Sequence, residues 1–305
     1  MKVEVIGLGG AGCNIVSAIS ENINKNFPEI SQNIDFYYVN TDKVSLDNIK
    51  SSGTKILLGE RICKGLGCGA DYNLGKKVMQ EDLDKFEFVK NSDLVFIVSG
   101  FSKGTGSSAP ILAKYLSENN ILNLFFAIKP FKFEGEKKTQ IANSLIKELS
   151  QFAHSFVIIE NSKYQKGTFK ETLENINNII SNSISIILKV ILSPLLINID
   201  YNDFKAVIYE GKRCIFAYAK ADGVDRDKKI IEILTKEKMK RVKTCLLFIQ
   251  GGEDMLIEEV ENIANSVNNA ISPQAFPIFG ADIKEGKTHI ETVLLGVSKE
   301  YEISE

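Results

Sequence analysis

Six short apolar runs, set among helical patterns and glycine-rich turns, constrain this chain more than any other feature. They are Val3–Ile6, Phe36–Val39, Ile56–Leu58, Leu94–Val98, Leu124–Ile128 and Phe156–Ile159. Several are apolar throughout rather than alternating, which suits strands covered on both faces. Between them lie amphipathic stretches. One carries Ile15, Ala18, Ile19 and Ile23 on one face, and another runs from Ala109 through Leu116. This alternation predicts an α/β fold with a doubly wound, mostly parallel sheet.

A longer helical pattern follows. Leu173, Ile176, Ile180, Ile184, Ile187 and Ile191 recur at three- and four-residue steps, and Ile179, Ile186 and Val190 widen the apolar arc. A helix with so wide an arc is expected to be buried as core, and Pro194 to end it. Beyond it Ala206–Ile208, Cys214–Ala219, Cys245–Ile249, Ala275–Phe279 and Ile290–Val297 read as strands. Helical patterns at Lys228–Lys236 and Met255–Ile271 separate them. The expected organisation is an α/β domain over residues 1–171, the long helix and its following loop over 172–203, and a smaller α/β domain over 204–305.

Bulk composition excludes several function classes. Lys and Arg number 37 against 39 Asp and Glu, so no net field draws the chain to nucleic acid or an anionic membrane. No stretch reaches about 18 uninterrupted apolar residues, and the opening MKVEVIGLGG reads as a strand and a glycine turn rather than a secretory leader. A cytoplasmic protein is expected, without direct membrane binding. The five cysteines fit neither a zinc pattern nor a disulfide framework, and the two histidines have no metal-binding partner nearby.

Chemistry concentrates in three glycine clusters. Gly7-Leu8-Gly9-Gly10-Ala11-Gly12-Cys13-Asn14 lies between the first strand and the first helix. Glycines let the backbone approach a phosphate, and the helix N-terminus then faces the anion. By letter the turn also satisfies a dinucleotide fingerprint at Gly7, Gly9 and Gly12, and a bare strand–helix turn is the ligand-free alternative. Asn40-Thr41-Asp42 closes the second strand. An acidic residue there suits a ribose contact or a cap on the next segment. Lys64-Gly65-Leu66-Gly67-Cys68-Gly69-Ala70-Asp71 follows the third strand, and Gly100-Phe101-Ser102-Lys103-Gly104-Thr105-Gly106-Ser107-Ser108 the fourth. Three loops rich in backbone N–H on one sheet edge exceed what one pyrophosphate needs and suit a nucleoside triphosphate.

With these motifs the chain resembles the tubulin/FtsZ superfamily, its bacterial FtsZ branch in particular. The third cluster is similar to the family's loop built around Gly-Thr-Gly. Lys129-Pro130-Phe131-Lys132-Phe133-Glu134-Gly135, Glu160-Asn161-Ser162-Lys163 and Asn198-Ile199-Asp200-Tyr201-Asn202-Asp203 resemble further family segments, in order along nearly the whole chain.

The resemblance implies GTP and GDP as ligands, with Mg²⁺ bridging phosphates and no protein-built metal site. Gly9, Gly10, Ala11, Gly12, Cys13 and Asn14, together with Gly104, Thr105 and Gly106, would cradle phosphates. Gly67, Gly69 and Ala70 would close over the terminal one. Glu134 and Lys138 would lie at the ribose. Asn161 would join the nucleotide site, and Asn177 would read guanine with Asn14. Asn198, Asp200 and Asp203 would enter the site of the next subunit, where the two carboxylates polarise the attacking water. The implied partner is a further copy in a head-to-tail polymer, or another FtsZ. Taken singly, Glu134, Asn177, Asp200 and Asp203 also read as ordinary solvated polar residues.

Departures from the family are local. Ser102, Lys103 and Ser108 replace glycines, in a loop one residue shorter. Lys138 stands for an arginine, Leu173 for the phenylalanine that flanks guanine, and Leu195 for a glycine. The segment between Asn161 and Asn177 is about five residues shorter. The sequence stops at Glu305, where the family carries a linker and a tail peptide, which suggests a divergent or accessory member. Three readings follow, in order of preference: a GTP-hydrolysing filament protein, an FtsZ-like structural protein with little hydrolysis, and a nucleotide-dependent oxidoreductase.

Overall fold

The structure, a computed structural model, describes residues 1–165, 167–209, 212–236 and 239–298. The sequence end at Glu305 lies outside them. The chain divides between Ser185 and Ile186 into two compact units.

The first unit holds β1 (Val3–Leu8), α1 (Gly9–Asn26), β2 (Ile34–Asn40), α2 (Lys43–Asp47), β3 (Thr54–Leu57), α3 (Glu60–Cys63), α4 (Tyr72–Glu81), β4 (Leu94–Gly100), α5 (Ala109–Glu118), β5 (Asn123–Lys129), α6 (Glu136–Phe152) and β6 (Ser155–Glu160). Every expected strand is present. They lie in the order β3-β2-β1-β4-β5-β6, and each adjacent pair runs parallel. All six residues of β1 are buried, as are the first six of β4 and of β5, which explains why their sequences do not alternate. The strand order reverses direction between β1 and β4, and in a parallel sheet that point opens a crevice at the strands' carboxyl ends.

The helix α7 (Phe169–Leu192) crosses from one unit into the next along the chain. An 18-residue window within it has mean hydropathy 1.3, apolar enough to cross a membrane by length and composition alone. The protein itself buries 67% of that window, as a core helix requires. Ile176, Ile180, Ile184, Ile187 and Ile191 are buried as expected, but Leu173 is 38% exposed and lies off the core. The helix ends just before Pro194.

The second unit continues with α8 (Tyr201–Tyr209), β7 (Arg213–Asp222), α9 (Arg226–Leu234), β8 (Thr244–Gly251), α10 (Ile257–Ala270), β9 (Phe276–Ile283) and β10 (His289–Ser298). Its strands lie in the order β7-β10-β8-β9. The pairs of β10 are antiparallel and that of β8 with β9 is parallel. The expected strand at Ala206–Ile208 is wrong, because these residues lie in α8. Phe204, Val207 and Ile208 are the buried positions, a spacing of three and four that only a helix brings to one face.

Candidate functional site

A cleft of about 290 Å³ opens at the reversal point. Its walls come from all three glycine clusters: Gly9, Gly10 and Ala11; Leu66 to Gly69; and Gly100, Ser102, Lys103, Thr105 and Gly106. The end of β2 supplies Asn40, Thr41 and Asp42.

The first wall is a bare helix start. Gly9 has φ +71°, a left-handed turn that releases the chain from β1 directly into α1. No side chain caps this 18-residue helix, and no acidic residue stands in its first turn. Its leading N–H groups and the positive end of its dipole therefore remain available to an anion. Gly12 has a different task, since a Cβ there would sit 2.2 Å from the Val98 carbonyl oxygen. It lets α1 press onto β4. Cys13 is buried beneath the turn, its thiol donating to the Gly7 and Val39 carbonyls, and burial pushes that thiol up to about 12.

The second wall is a loop with left-handed backbone at Lys64, Gly65, Gly67 and Gly69. The Lys43 N–H donates to the Gly65 carbonyl at 2.9 Å, and the Gly67 N–H to the Thr41 carbonyl at 3.0 Å. The third wall is tied to it where the Gly104 N–H donates to the Gly69 carbonyl at 3.0 Å. Beneath them runs one hydrogen-bonded chain. The Cys68 N–H donates to Thr41 Oγ1 at 3.0 Å, the Thr41 and Thr105 hydroxyls meet at 2.8 Å, and the Thr105 hydroxyl donates to Asn40 Oδ1 at 3.2 Å.

The substituted positions of the third wall are accommodated locally. The Ser108 hydroxyl donates to the Thr105 carbonyl at 2.6 Å, which keeps this side chain inside its own turn. Ser102 and Lys103 line the cleft, and Lys103 is the only cationic side chain among the described lining residues. Asp42 takes up the capping role while it lines the cleft. Its carboxylate accepts from the Ser45 N–H at 3.1 Å and so caps α2.

The remaining expected residues do not line the cleft. Gly12, Cys13 and Gly104 are buried around it, and Asn14 and Ala70 are exposed. The Glu134 carboxylate accepts from the Phe131 N–H and from Lys138 Nζ, both at 3.0 Å. Asn177 is half-buried on α7. Asn161 follows β6 and is buried, and its Oδ1 finds no hydrogen-bond partner among the described residues. Asn198, Asp200 and Asp203 belong to the second unit. There the Asp203 N–H donates to Asp200 Oδ1 at 2.8 Å and the Asp200 N–H to Asp203 Oδ2 at 3.1 Å, a reciprocal cap that opens α8. Each carboxylate keeps one oxygen outside that exchange. Asp203 also lines a separate cleft of about 600 Å³ with Lys243, Thr244 and Phe276.

Sequence reasoning missed two features. The Thr41–Thr105–Asn40 chain was legible only as an end of strand facing a glycine loop. Phe131, Phe133 and Phe169 form an aromatic cluster, with ring centroids 5.0 to 5.9 Å apart. Phe133 and Phe169 are nonetheless 68% and 60% exposed. Phe169 lies one turn before Leu173 on α7.

Among known proteins, the model of the Tubulin/FtsZ family, GTPase domain, matches residues 2–168, and that of the FtsZ family, C-terminal domain, matches residues 219–298. The cell division protein FtsZ of Aquifex aeolicus is 29% identical over 293 residues, covering 92% of this chain and 78% of that protein. FtsZ of Buchnera aphidicola subsp. Baizongia pistaciae is 32% identical over 295 residues, covering 92% of this chain and 74% of its own. FtsZ of Magnetospirillum gryphiswaldense is 29% identical, covering 98% of this chain but 55% of its own. Among solved structures, an empty FtsZ dimer from M. jannaschii superimposes with TM-score 0.85 at 24% identity, covering 99% of this chain and 94% of that one. A GTPgS-bound CetZ2 protofilament from Haloferax volcanii gives 0.82 at 22%, covering 99% and 95%.

Proposed function

The chain belongs to the tubulin/FtsZ family, and from that premise we propose that it binds and hydrolyses GTP in a head-to-tail polymer of its own copies in the cytoplasm. Members of this family are GTPases, and its relatives here are cell division proteins. The observation that carries the reading is the cleft. Three walls rich in backbone N–H meet at a helix start that has neither a side-chain cap nor an acidic residue in its first turn. Such an arrangement neutralises a polyphosphate with fixed dipoles.

In the proposed site Gly9 to Ala11 and Gly104 to Gly106 hold the phosphates, with Gly67 and Gly69 over the terminal one. Glu134 and Lys138 orient the ribose. Asn177 pairs with guanine, and the unpartnered Asn161 Oδ1 supplies an acceptor nearby. Mg²⁺, bound together with the nucleotide, would supply charge neutralisation. No cluster of three or more His, Cys, Asp or Glu suited to a metal occurs among the described residues, so the ion would depend on the nucleotide.

The described residues that line the cleft belong to the first unit, and Asp200 and Asp203 to the second. The proposal has these carboxylates reach the nucleotide of the next subunit and orient water there. Positioning and electrostatics do most of the work in phosphoryl transfer. GTP-dependent sedimentation with phosphate release measured in parallel tests the whole reading. Assembly with release supports it, and neither event at high protein concentration rejects it. A direct titration adds the base, with GTP expected to bind more tightly than ATP.

A second reading, assembly with little hydrolysis, is favoured by Ser102 and Lys103 in the phosphate wall. Neither holds left-handed backbone, so their effect comes from the side chains they place in the cleft lining. Lys103→Gly is expected to change the hydrolysis rate more than the affinity, as read by phosphate release against equilibrium binding. Loss of all nucleotide binding would instead make Lys103 a ligand.

A further inference from the structure

Cys63 and Cys68 sit at the two ends of the loop that forms the second wall of the cleft. Both are buried free thiols, and their sulfurs are 3.1 Å apart. A disulfide bond is about 2.05 Å long, so closure needs about 1 Å of sulfur movement. The loop between them already turns back on itself. The Leu66 N–H donates to the Cys63 carbonyl at 2.9 Å, and Lys64, Gly65 and Gly67 hold left-handed backbone.

Cys68 also belongs to the cleft. It lines it directly between Gly67 and Gly69, and its N–H anchors the Thr41–Thr105–Asn40 chain. One residue on, the Gly69 carbonyl accepts from Gly104. A bond at Cys68 Sγ thus acts within two residues of the contacts that hold the second wall to the third.

We infer that Cys63 and Cys68 form a reversible intramolecular disulfide that weakens nucleotide binding, and that bound nucleotide in turn shields the pair. The oxidant is a low-molecular-weight disulfide, RSSR. One cysteine thiolate attacks a sulfur of RSSR, giving a mixed disulfide and RS⁻, which takes up the proton lost by the thiol. The second cysteine then attacks the mixed disulfide, forms the Cys63–Cys68 bond and releases the second RSH. Two electrons pass from the cysteine pair to RSSR. Burial and the neighbouring thiol push Cys68 up to about 12, so Cys68 rests as a thiol and its oxidation quickens as pH rises. Reciprocity follows from linkage, because a bond that disfavours nucleotide is itself disfavoured by nucleotide.

This inference rests on the cleft being a nucleotide site, and the experiment separates the two. The nucleotide-free full chain is incubated with oxidised glutathione, and peptides containing Cys63 and Cys68 are weighed with and without reductant. GTP affinity of the reduced and oxidised forms is then titrated. The expected results are a reductant-reversible loss of two hydrogens in that peptide and binding weakened by about fivefold or more on oxidation. Prior saturation with GTP should slow the mass change. Cys63→Ser and Cys63→Ala should lose the sensitivity of affinity to glutathione. A persistent glutathione adduct, or no mass change, overturns the disulfide. A disulfide with unchanged affinity overturns the coupling. Failure of the reduced protein to bind GTP would reject the nucleotide reading and the coupling with it, while the mass result would still decide the bond.

Discussion

At the scale of single residues, glycines of one cluster divide into two kinds that the sequence does not separate. A Cβ at Gly10 meets nothing within 4 Å, whereas one at Gly12 meets the Val98 carbonyl at 2.2 Å. Gly10→Ala is therefore expected to keep or raise stability by about 0.5 kcal/mol while weakening nucleotide binding, because the methyl group enters the open cleft. Gly12→Ala should cost at least about 2 kcal/mol of stability, since α1 must move off β4. Thermal unfolding and GTP titration of the two variants check the contrast, and equal losses of stability would contradict it. The letters of the glycine turn announced a close backbone approach. They did not say which glycine faces the open cleft and which faces Val98, because that depends on a strand about ninety residues away. Asp42 was ambiguous for a related reason. Only the positioned Ser45 N–H shows that its carboxylate is used locally.

At the scale of elements, strands and long helices were legible because burial on one face or two imposes a period. Every strand of the first unit was found, and its loops fell at the strand ends that now line the cleft. The error at Ala206–Ile208 shows the limit. Three apolar residues cannot distinguish a period of two from one of 3.6, and the deciding signal was the Asp200–Asp203 pair three residues apart. That pair also dictates the choice of variant. Asp203→Ala removes a cap together with a charge and should cost about 1 kcal/mol of helix stability. Asp203→Asn retains an oxygen that accepts from the Asp200 N–H and removes only the charge. The asparagine variant is expected to bind GTP and assemble normally, with phosphate release reduced by about tenfold or more. Normal release from its polymers would remove Asp203 from the mechanism.

At the scale of the whole molecule, the second unit carries its own buried charge network. Arg226 donates to Glu259 at 2.7 and 2.9 Å, to Asp254 at 2.8 Å and to the Thr288 carbonyl at 3.0 Å. The Arg226 guanidinium holds the Glu259 carboxyl below the ordinary carboxylate value, against burial. At Glu291 burial pushes upward, but Lys287 and the Tyr218 hydroxyl outweigh it and the carboxyl is again lowered. A lowered acid stabilises the fold above its unfolded pKa, about 4.3, and that stability is lost as pH falls through the folded value. Glu4 in the first unit has the opposite sign, because burial raises it. Glu259→Gln should therefore cost about 2 kcal/mol at neutral pH, with the difference from wild type shrinking below about pH 4. A difference independent of pH would contradict this origin. The Arg226 pairs were not legible in the sequence, since Asp254 and Glu259 lie about thirty residues from Arg226.

The proposed head-to-tail contact, in which one unit completes the site of the next copy, also belongs to the whole-molecule scale. Such a head-to-tail contact joins two different surfaces, so it leaves free ends and grows into a filament. The most direct test is the rate of phosphate release per subunit, measured at saturating GTP across a dilution series that spans assembly. The account predicts negligible release from monomers and a steep rise once subunits stack. A rate per subunit that stays constant on dilution to monomer would mean that one chain holds a complete site, and would contradict it.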